Sequence, residues 1–243
     1  MKKVLKFTFF LFLVLLILFL IMDKPLPIGE EGPRAKILAD KIQKAINKDA
    51  WDSTNFIQWT FIGRHDYLWD RKRHLVEVKW GNYAVLLNPN TLKGKVYINN
   101  IEQKNDAITL NKAYRSFTND AFWLNAFTQI YNGNTVLKFV EMEGASSGLL
   151  VTYLNGGVTP GDSYLWIVDE NGLPSSWQMW VSVFPLGGIE LTWEDWIALP
   201  NGAMVAQSHK AGPFNVKISN LKIFQSWEDG GYSKDPFFEI IDF

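Results

Sequence analysis

The sequence predicts a mainly β protein: a strongly curved antiparallel sheet with a few helices plugging its concave side, preceded by an N-terminal membrane segment. Three observations predict it. From Phe56 onward, short runs alternate apolar and polar residues, and turn-forming residues separate them. Only two stretches, 34–48 and 105–131, replace that period of two with a helical one. The first 22 residues carry a basic tip followed by an unbroken apolar run.

The N-terminus comes first. Lys2, Lys3 and Lys6 precede an apolar run from 7 to 22, interrupted only by Thr8 and closed by Asp23, Lys24 and Pro25. About 16 residues make about 24 Å of helix, enough for a thin bilayer if Val4 and Leu5 join and Lys6 snorkels. No small-residue cleavage site follows; Phe19-Leu20-Ile21-Met22 occupies that place. A signal anchor and a cleaved signal peptide both stay open, and in either case the leading lysines keep their end cytoplasmic. The expected location is the bacterial cytoplasmic membrane with the domain facing the periplasm, or the periplasm itself after cleavage.

Residues 23–32 hold Pro25, Pro27, Gly29 and Gly32 and read as a linker. Residues 33–243 then form one β-rich domain of about 210 residues, large enough to bury a core unaided. Pro33 suits the first turn of a helix. Ile37, Leu38, Ile42, Ala45 and Ile46 recur at helical spacing with Lys36, Asp40, Lys44 and Lys48 opposite, which predicts a helix over 34–48.

Strands follow. Ile57, Trp59 and Phe61 share one face, and Val76, Val78 and Trp80 another. The runs 83–87 and 95–98 end at Asn88-Pro89-Asn90 and Asn99-Asn100. Ala107, Ile108, Ala113, Tyr114 and Phe117 predict a helix, and Thr118-Asn119-Asp120 reads as the cap of a second, short one carrying Phe122, Trp123 and Phe127. Strands resume over 136–142, 149–154, 164–168, 177–183, 189–193, 203–208 and 214–224. The turn signals between them include Asn155-Gly156-Gly157, Pro160-Gly161-Asp162 and Glu170-Asn171-Gly172. The segment 236–243 reads equally as a final strand or a docking tail.

Composition excludes several classes. The 24 basic and 25 acidic residues are interspersed and leave a net charge of -1, so nothing favours nucleic acid or an acidic disordered tail. The chain has no cysteine, which removes disulfides, thiolate chemistry, cysteine zinc sites and a lipidated N-terminal cysteine. Eleven Trp and 17 Phe must be buried or line a groove.

In order along the chain, Ala50-Trp51-Asp52, Trp59-Thr60-Phe61-Ile62-Gly63, Leu68-Trp69-Asp70, Asn119-Asp120-Ala121-Phe122-Trp123-Leu124 and Pro160-Gly161-Asp162-Ser163-Tyr164-Leu165 form a loose pattern. Val168-Asp169-Glu170-Asn171-Gly172-Leu173 and Trp177 extend it. With these motifs the chain resembles the bacterial outer-membrane lipoprotein carrier and sorting family, the LolA/LolB-like fold, over residues 34–225. It departs from that family at Asn125-Ala126-Phe127, where relatives commonly carry a proline, and in lacking a lipobox cysteine. The resemblance implies an incomplete β-barrel covered by helices around an apolar cavity for acyl chains. Shuttling is implied less strongly, because a retained span is unlike a diffusing carrier.

The candidate ligand-lining residues are Trp59, Phe61, Val78, Trp80, Phe139, Tyr153, Trp166 and Trp193 on strand faces, with Phe122 and Trp123 on a helical lid or plug. An aromatic at strand spacing is more often ordinary core than ligand-lining, and the helical residues read as readily as a static plug. His65, His74 and His209 lack metal spacing. Glu190, Glu194 and Asp195 beside Trp193 and Trp196 resemble a glycosidase pair, yet Glu190, Thr192 and Glu194 alternate as a solvated strand face does. Arg71-Lys72-Arg73-His74 could meet anionic headgroups or form a bare hairpin tip. The expectation is a non-enzymatic envelope protein that binds a lipid or acylated protein, without cofactor or metal. The rivals are a carbohydrate-binding or glycoside-cleaving β-sandwich and a purely structural envelope domain.

Overall fold

The computed structural model describes residues 7–10, 13, 22–144, 146–155 and 158–243. The expected membrane segment lies largely outside them. Its described residues are helical, and among the described residues no helix is long and apolar enough to cross a membrane. Gly156 and Gly157 of the expected turn also lie outside.

Helix α1, Pro33–Ala45, starts where Pro33 fixes the first turn after Gly32, and it buries Ala35, Leu38, Ala39 and Ile42. It stops short of the predicted 48 because Asn47 takes a left-handed conformation, φ 55°, and its side chain accepts from Ala50 N–H to start α2, Lys48–Asp52. Six strands follow in a meander: β1 Phe56–Phe61, β2 His65–Asp70, β3 Leu75–Trp80, β4 Tyr83–Asn88, β5 Lys93–Ile98 and β6 Ile101–Gln103. Four were expected here. The additional strands β2 and β6 follow tight turns, the second at Asn99 and Asn100, both with positive φ.

Helix α3, Ala107–Asn125, is continuous where two helices were expected. The supposed cap is the reason. Asp120 is 3% exposed, and its carboxylate is taken up by β2 rather than by a helix start. A 3₁₀ turn, Ala126–Gln129, leads to β7 Thr135–Glu141, β8 Ser147–Tyr153, β9 Ser163–Val168, β10 Pro174–Trp180 and β11 Ile189–Thr192. After Trp193 come β12 Glu194–Ala198, β13 Met204–Ala211 and β14 Phe214–Phe224.

The strands form two antiparallel sheets. The large one has the order β12-β13-β14-β1-β2-β3-β4-β5-β6, and the small one β11-β10-β9-β8-β7. Neither is closed into a barrel. The fold is therefore mainly β with few helices, as expected, but the sheet is divided. Only Trp193 separates β11 from β12, and Asp195 just beyond it has φ 55°, so the chain turns from one sheet into the other at that corner.

One aromatic-rich core joins both sheets with α1 and α3. Helix α1 packs on β7 and β8, and α3 crosses β4, β5 and β13. The outer face of the large sheet is covered by the C-terminal segment, where Phe237 and Ile240 pack on Leu68, Leu75, Leu86 and Phe224. That segment is not a strand; it ends in a 3₁₀ turn, Phe238–Ile240. Arg73 pins it by a bidentate pair to Asp235 at 2.6 and 2.9 Å and also holds Asp70. Arg71 donates to the Trp51 and Thr54 carbonyls. Both arginines of the basic cluster thus have structural partners.

Residues 23–30 do not hang free. Lys24 N–H donates to the Gly187 carbonyl at 3.1 Å, and Glu30 exchanges two 2.8 Å backbone bonds with Phe139 on edge strand β7.

Candidate functional site

The alternation of the small sheet determines which side chains face inward. Tyr164 stands opposite Met179, and Trp166 opposite Trp177, in the β9–β10 register. On β8, Leu149, Val151 and Tyr153 share that face and are buried. Helix α3 presents Phe122 and Trp123 to it. The Phe122 ring lies 4.9 Å from Tyr164, 5.4 Å from Tyr153 and 5.7 Å from Trp177, and Trp123 lies 4.9 Å from Trp177. Centroid distances of 4.5–7 Å are those of favourable aromatic pairs.

Between this aromatic floor and the outward side of α3 runs an open cleft of about 860 Å³. Its volume lies within the range of small-molecule sites. Tyr153, Tyr164, Trp177 and Met179 form its apolar wall, while Val158, Val181, Val183 and Phe184 border it from the loops. The Trp177 indole N–H is fully buried and has no hydrogen-bond partner among the described residues.

The other wall is polar. Asp120 Oδ2 accepts from the Tyr67 hydroxyl at 2.6 Å and lies 2.7 Å from His65 Nδ1, and Asn119 donates to Asp120 Oδ1 at 2.9 Å. Burial, then the charge of Asp120, pushes the Tyr67 phenol far above its ordinary range, so it stays protonated and donates. His65 lines the cleft with Lys112 and Arg115. The Lys112 ammonium lies 5.1 Å above Trp80, whose ring is 6.3 Å from that of His65. Among the described residues, neither Lys112 nor Arg115 has a carboxylate partner. Among the described residues no hydroxyl is hydrogen-bonded to His65, and the buried Asp120 carboxylate orients its imidazole.

Of the residues singled out from the sequence, Phe122, Trp123 and Tyr153 line the cleft. Trp59, Trp166 and Trp193 are buried in the core, as are Phe61 and Val78. Trp80 is stacked on Tyr83 at 5.1 Å, and Phe139 lies under the Arg34 guanidinium at 3.9 Å, on the edge strand. The seven side chains other than Phe122, Trp123 and Tyr153 are absent from the cleft wall because they are buried in the core or face another side. Sequence reasoning missed Tyr164, Met179, Val183 and Phe184 as lining residues. Strand alternation places Tyr164 beside Trp166, but only the position of α3 tells cleft from core.

The carboxylates near Trp193 do not form a cleft pair. Glu190 accepts from Ser176 and Gln178 at 2.8 and 3.0 Å on the outer face, and Glu194 pairs with Lys210. Among the described residues no group of three or more His, Asp or Glu side chains could hold a metal ion.

No family model matches the chain, and no curated protein matches it. Among solved structures it is similar to a DUF1329 family protein from Desulfovibrio piger, at 10% identity, with 79% of this chain and 95% of that one covered and a TM-score of 0.41. A likeness this distant carries no function across.

Proposed function

We propose that this protein binds an amphiphile non-enzymatically, its acyl chain along the aromatic wall of the cleft and its anionic head toward Lys112, Arg115 and His65. The observation that carries this reading is one cleft with two chemistries: an apolar wall of Tyr153, Tyr164, Trp177 and Met179 facing Lys112 and Arg115 of α3, which have no carboxylate partner among the described residues. Each buried methylene contributes about 0.8 kcal/mol, so a chain of about ten carbons offers roughly 8 kcal/mol against the cost of association. The ligand class is a lipid or the acyl chains of an acylated protein. The setting is the outer side of the bacterial cytoplasmic membrane, with the N-terminal segment as anchor or signal. The LolA/LolB-like reading belongs to this proposal: a curved, open sheet with a helix in its concavity suits acyl chains.

The sugar-binding alternative is disfavoured by burial. Stacking on sugar rings needs open indole faces, whereas Trp51, Trp59, Trp166, Trp177 and Trp193 are buried and the other six tryptophans are half-buried.

Native mass spectrometry of the full chain, with lipid extraction, tests the proposal. The expected result is an acyl-containing lipid at defined stoichiometry, displaced by added fatty acid. Met179→Glu, which puts a carboxylate on the apolar wall, should abolish its retention. An unliganded mass that does not change on incubation with fatty acid or phospholipid would falsify the reading.

A further inference from the structure

The place where the chain leaves its apolar N-terminal run is fixed on the domain. Asp23, the first residue after that run, accepts from Gly187 N–H at 2.7 Å through Oδ1. The Lys24 carbonyl accepts from the Trp180 indole at 2.8 Å. The fit depends on glycine at both positions. A Cβ on Gly187 would stand 2.5 Å from Trp180 Cδ1 and 2.7 Å from the Lys24 oxygen, and one on Gly188 2.6 Å from Lys24 Cβ.

The loop that holds this exit point also borders the cleft. Its residues, Val181-Ser182-Val183-Phe184-Pro185-Leu186-Gly187-Gly188, carry no charge. Val183 and Phe184 are 62% and 52% exposed and line the cleft mouth. The loop after β8 adds Leu154, 57% exposed, and Val158. Asp162 ties the two loops into one rim: its carboxylate accepts from Ser182 N–H at 2.9 Å and from the Thr159 hydroxyl. The exposed crest of this rim, Leu154, Val183 and Phe184, is apolar, and such a surface gains free energy at a bilayer when the adjoining N-terminal run lies in one.

We propose that this rim, with Leu154, Val183 and Phe184 at its crest, is a bilayer-contact surface that applies the cleft mouth to the leaflet from which the chain emerges. The contact rests on the N-terminal run residing in the membrane. Its use as a doorway, through which an amphiphile passes from leaflet to cleft without crossing water, rests on the acyl-binding reading above.

The chain has no cysteine, so single cysteines can be placed at will. The full chain carrying Leu154→Cys or Val183→Cys is labelled with an environment-sensitive fluorophore. It is reconstituted in vesicles of phosphatidylethanolamine and phosphatidylglycerol, with and without nitroxide-labelled lipid. Lys72→Cys, exposed in the β2–β3 turn at the far end of the large sheet's strands, serves as reference. The expected result is a blue shift and nitroxide quenching at 154 and 183, with neither at 72. Labels at 154 and 183 as wet as that at 72, or equal quenching at all three, overturn the proposal and leave the rim to a protein partner or to unspecific adsorption. Leu154→Glu separates this failure from failure of the acyl-binding reading. With the doorway, it slows lipid transfer from vesicles and leaves binding of a fatty acid offered in solution intact. Insertion of the rim without any fatty-acid binding keeps the contact surface and removes the acyl ligand.

Discussion

His209 is fully buried, its ring 4.2 Å from that of Trp193 and 5.5 Å from that of Trp123. Burial pushes its imidazole down to about 4, against weaker upward pulls from the Thr192 and Trp123 backbone and Glu194. The folded state therefore holds this ring neutral where the unfolded chain, near 6.5, would protonate it. Between those values the unfolded state binds more protons, so stability falls as pH drops, by up to about 3 kcal/mol from this group. Urea unfolding at pH 7 and at pH 4.5 should show the loss, and His209→Phe should flatten the slope in that window. Ile62 gives a prediction of the opposite sign. It sits at φ 44°, a conformation hostile to a β-branched residue, and its side chain is 39% exposed. Ile62→Asn should stabilise the fold by about 1 kcal/mol, read as a raised thermal midpoint.

At the scale of elements, α3 and the segment before α1 matter most. The buried Asp120 carboxylate gives α3 its fixed seat on β2. Asp120→Ala should cost about 1–3 kcal/mol, because the Tyr67 hydroxyl is left buried without its acceptor; pairing it with Tyr67→Phe should recover part of the loss in denaturant titrations. Gly187→Val should release residues 23–30 from the small sheet with little effect on the large one. Hydrogen exchange at the Lys24 and Glu30 amides should quicken, and protection within β1–β5 should persist. The strands around Trp59, Val78 and Leu149 were legible because alternation is a local property. The continuity of α3 was not. Asn119-Asp120 has the chemistry of a cap, and its partners His65 and Tyr67 stand 55 and 53 residues away from Asp120. The same distance hid the polar wall of the cleft.

For the molecule as a whole, the decisive position is Trp193, the single residue between the two sheets. Its ring packs 5.1 Å from Trp166 and 5.0 Å from Trp177 of the small sheet, and 6.0 Å from Trp196 and 4.2 Å from His209 of the large one, so one aromatic cluster serves both sheets. Trp193→Ala should cost about 3–5 kcal/mol, and near-ultraviolet circular dichroism and amide protection in both sheets should be lost in one transition. Sequence alternation foretold an aromatic interior. It could not say which indoles face a cleft, because that depends on where a helix from the middle of the chain comes to rest.

The docked stretch between Asp23 and α1 has a consequence for traffic. Held by Gly187 at one end and by Phe139 at the other, it has no slack to pay out. With its apolar run retained in the membrane, the domain would share the lateral drift of its anchor and work in a shell one molecule deep. Encounters there are a two-dimensional search, at a local concentration set by geometry rather than by the bulk. If the cleft holds an amphiphile as proposed, it would be taken from the leaflet beside the anchor, and a recipient beyond that shell would have to come within reach to collect it.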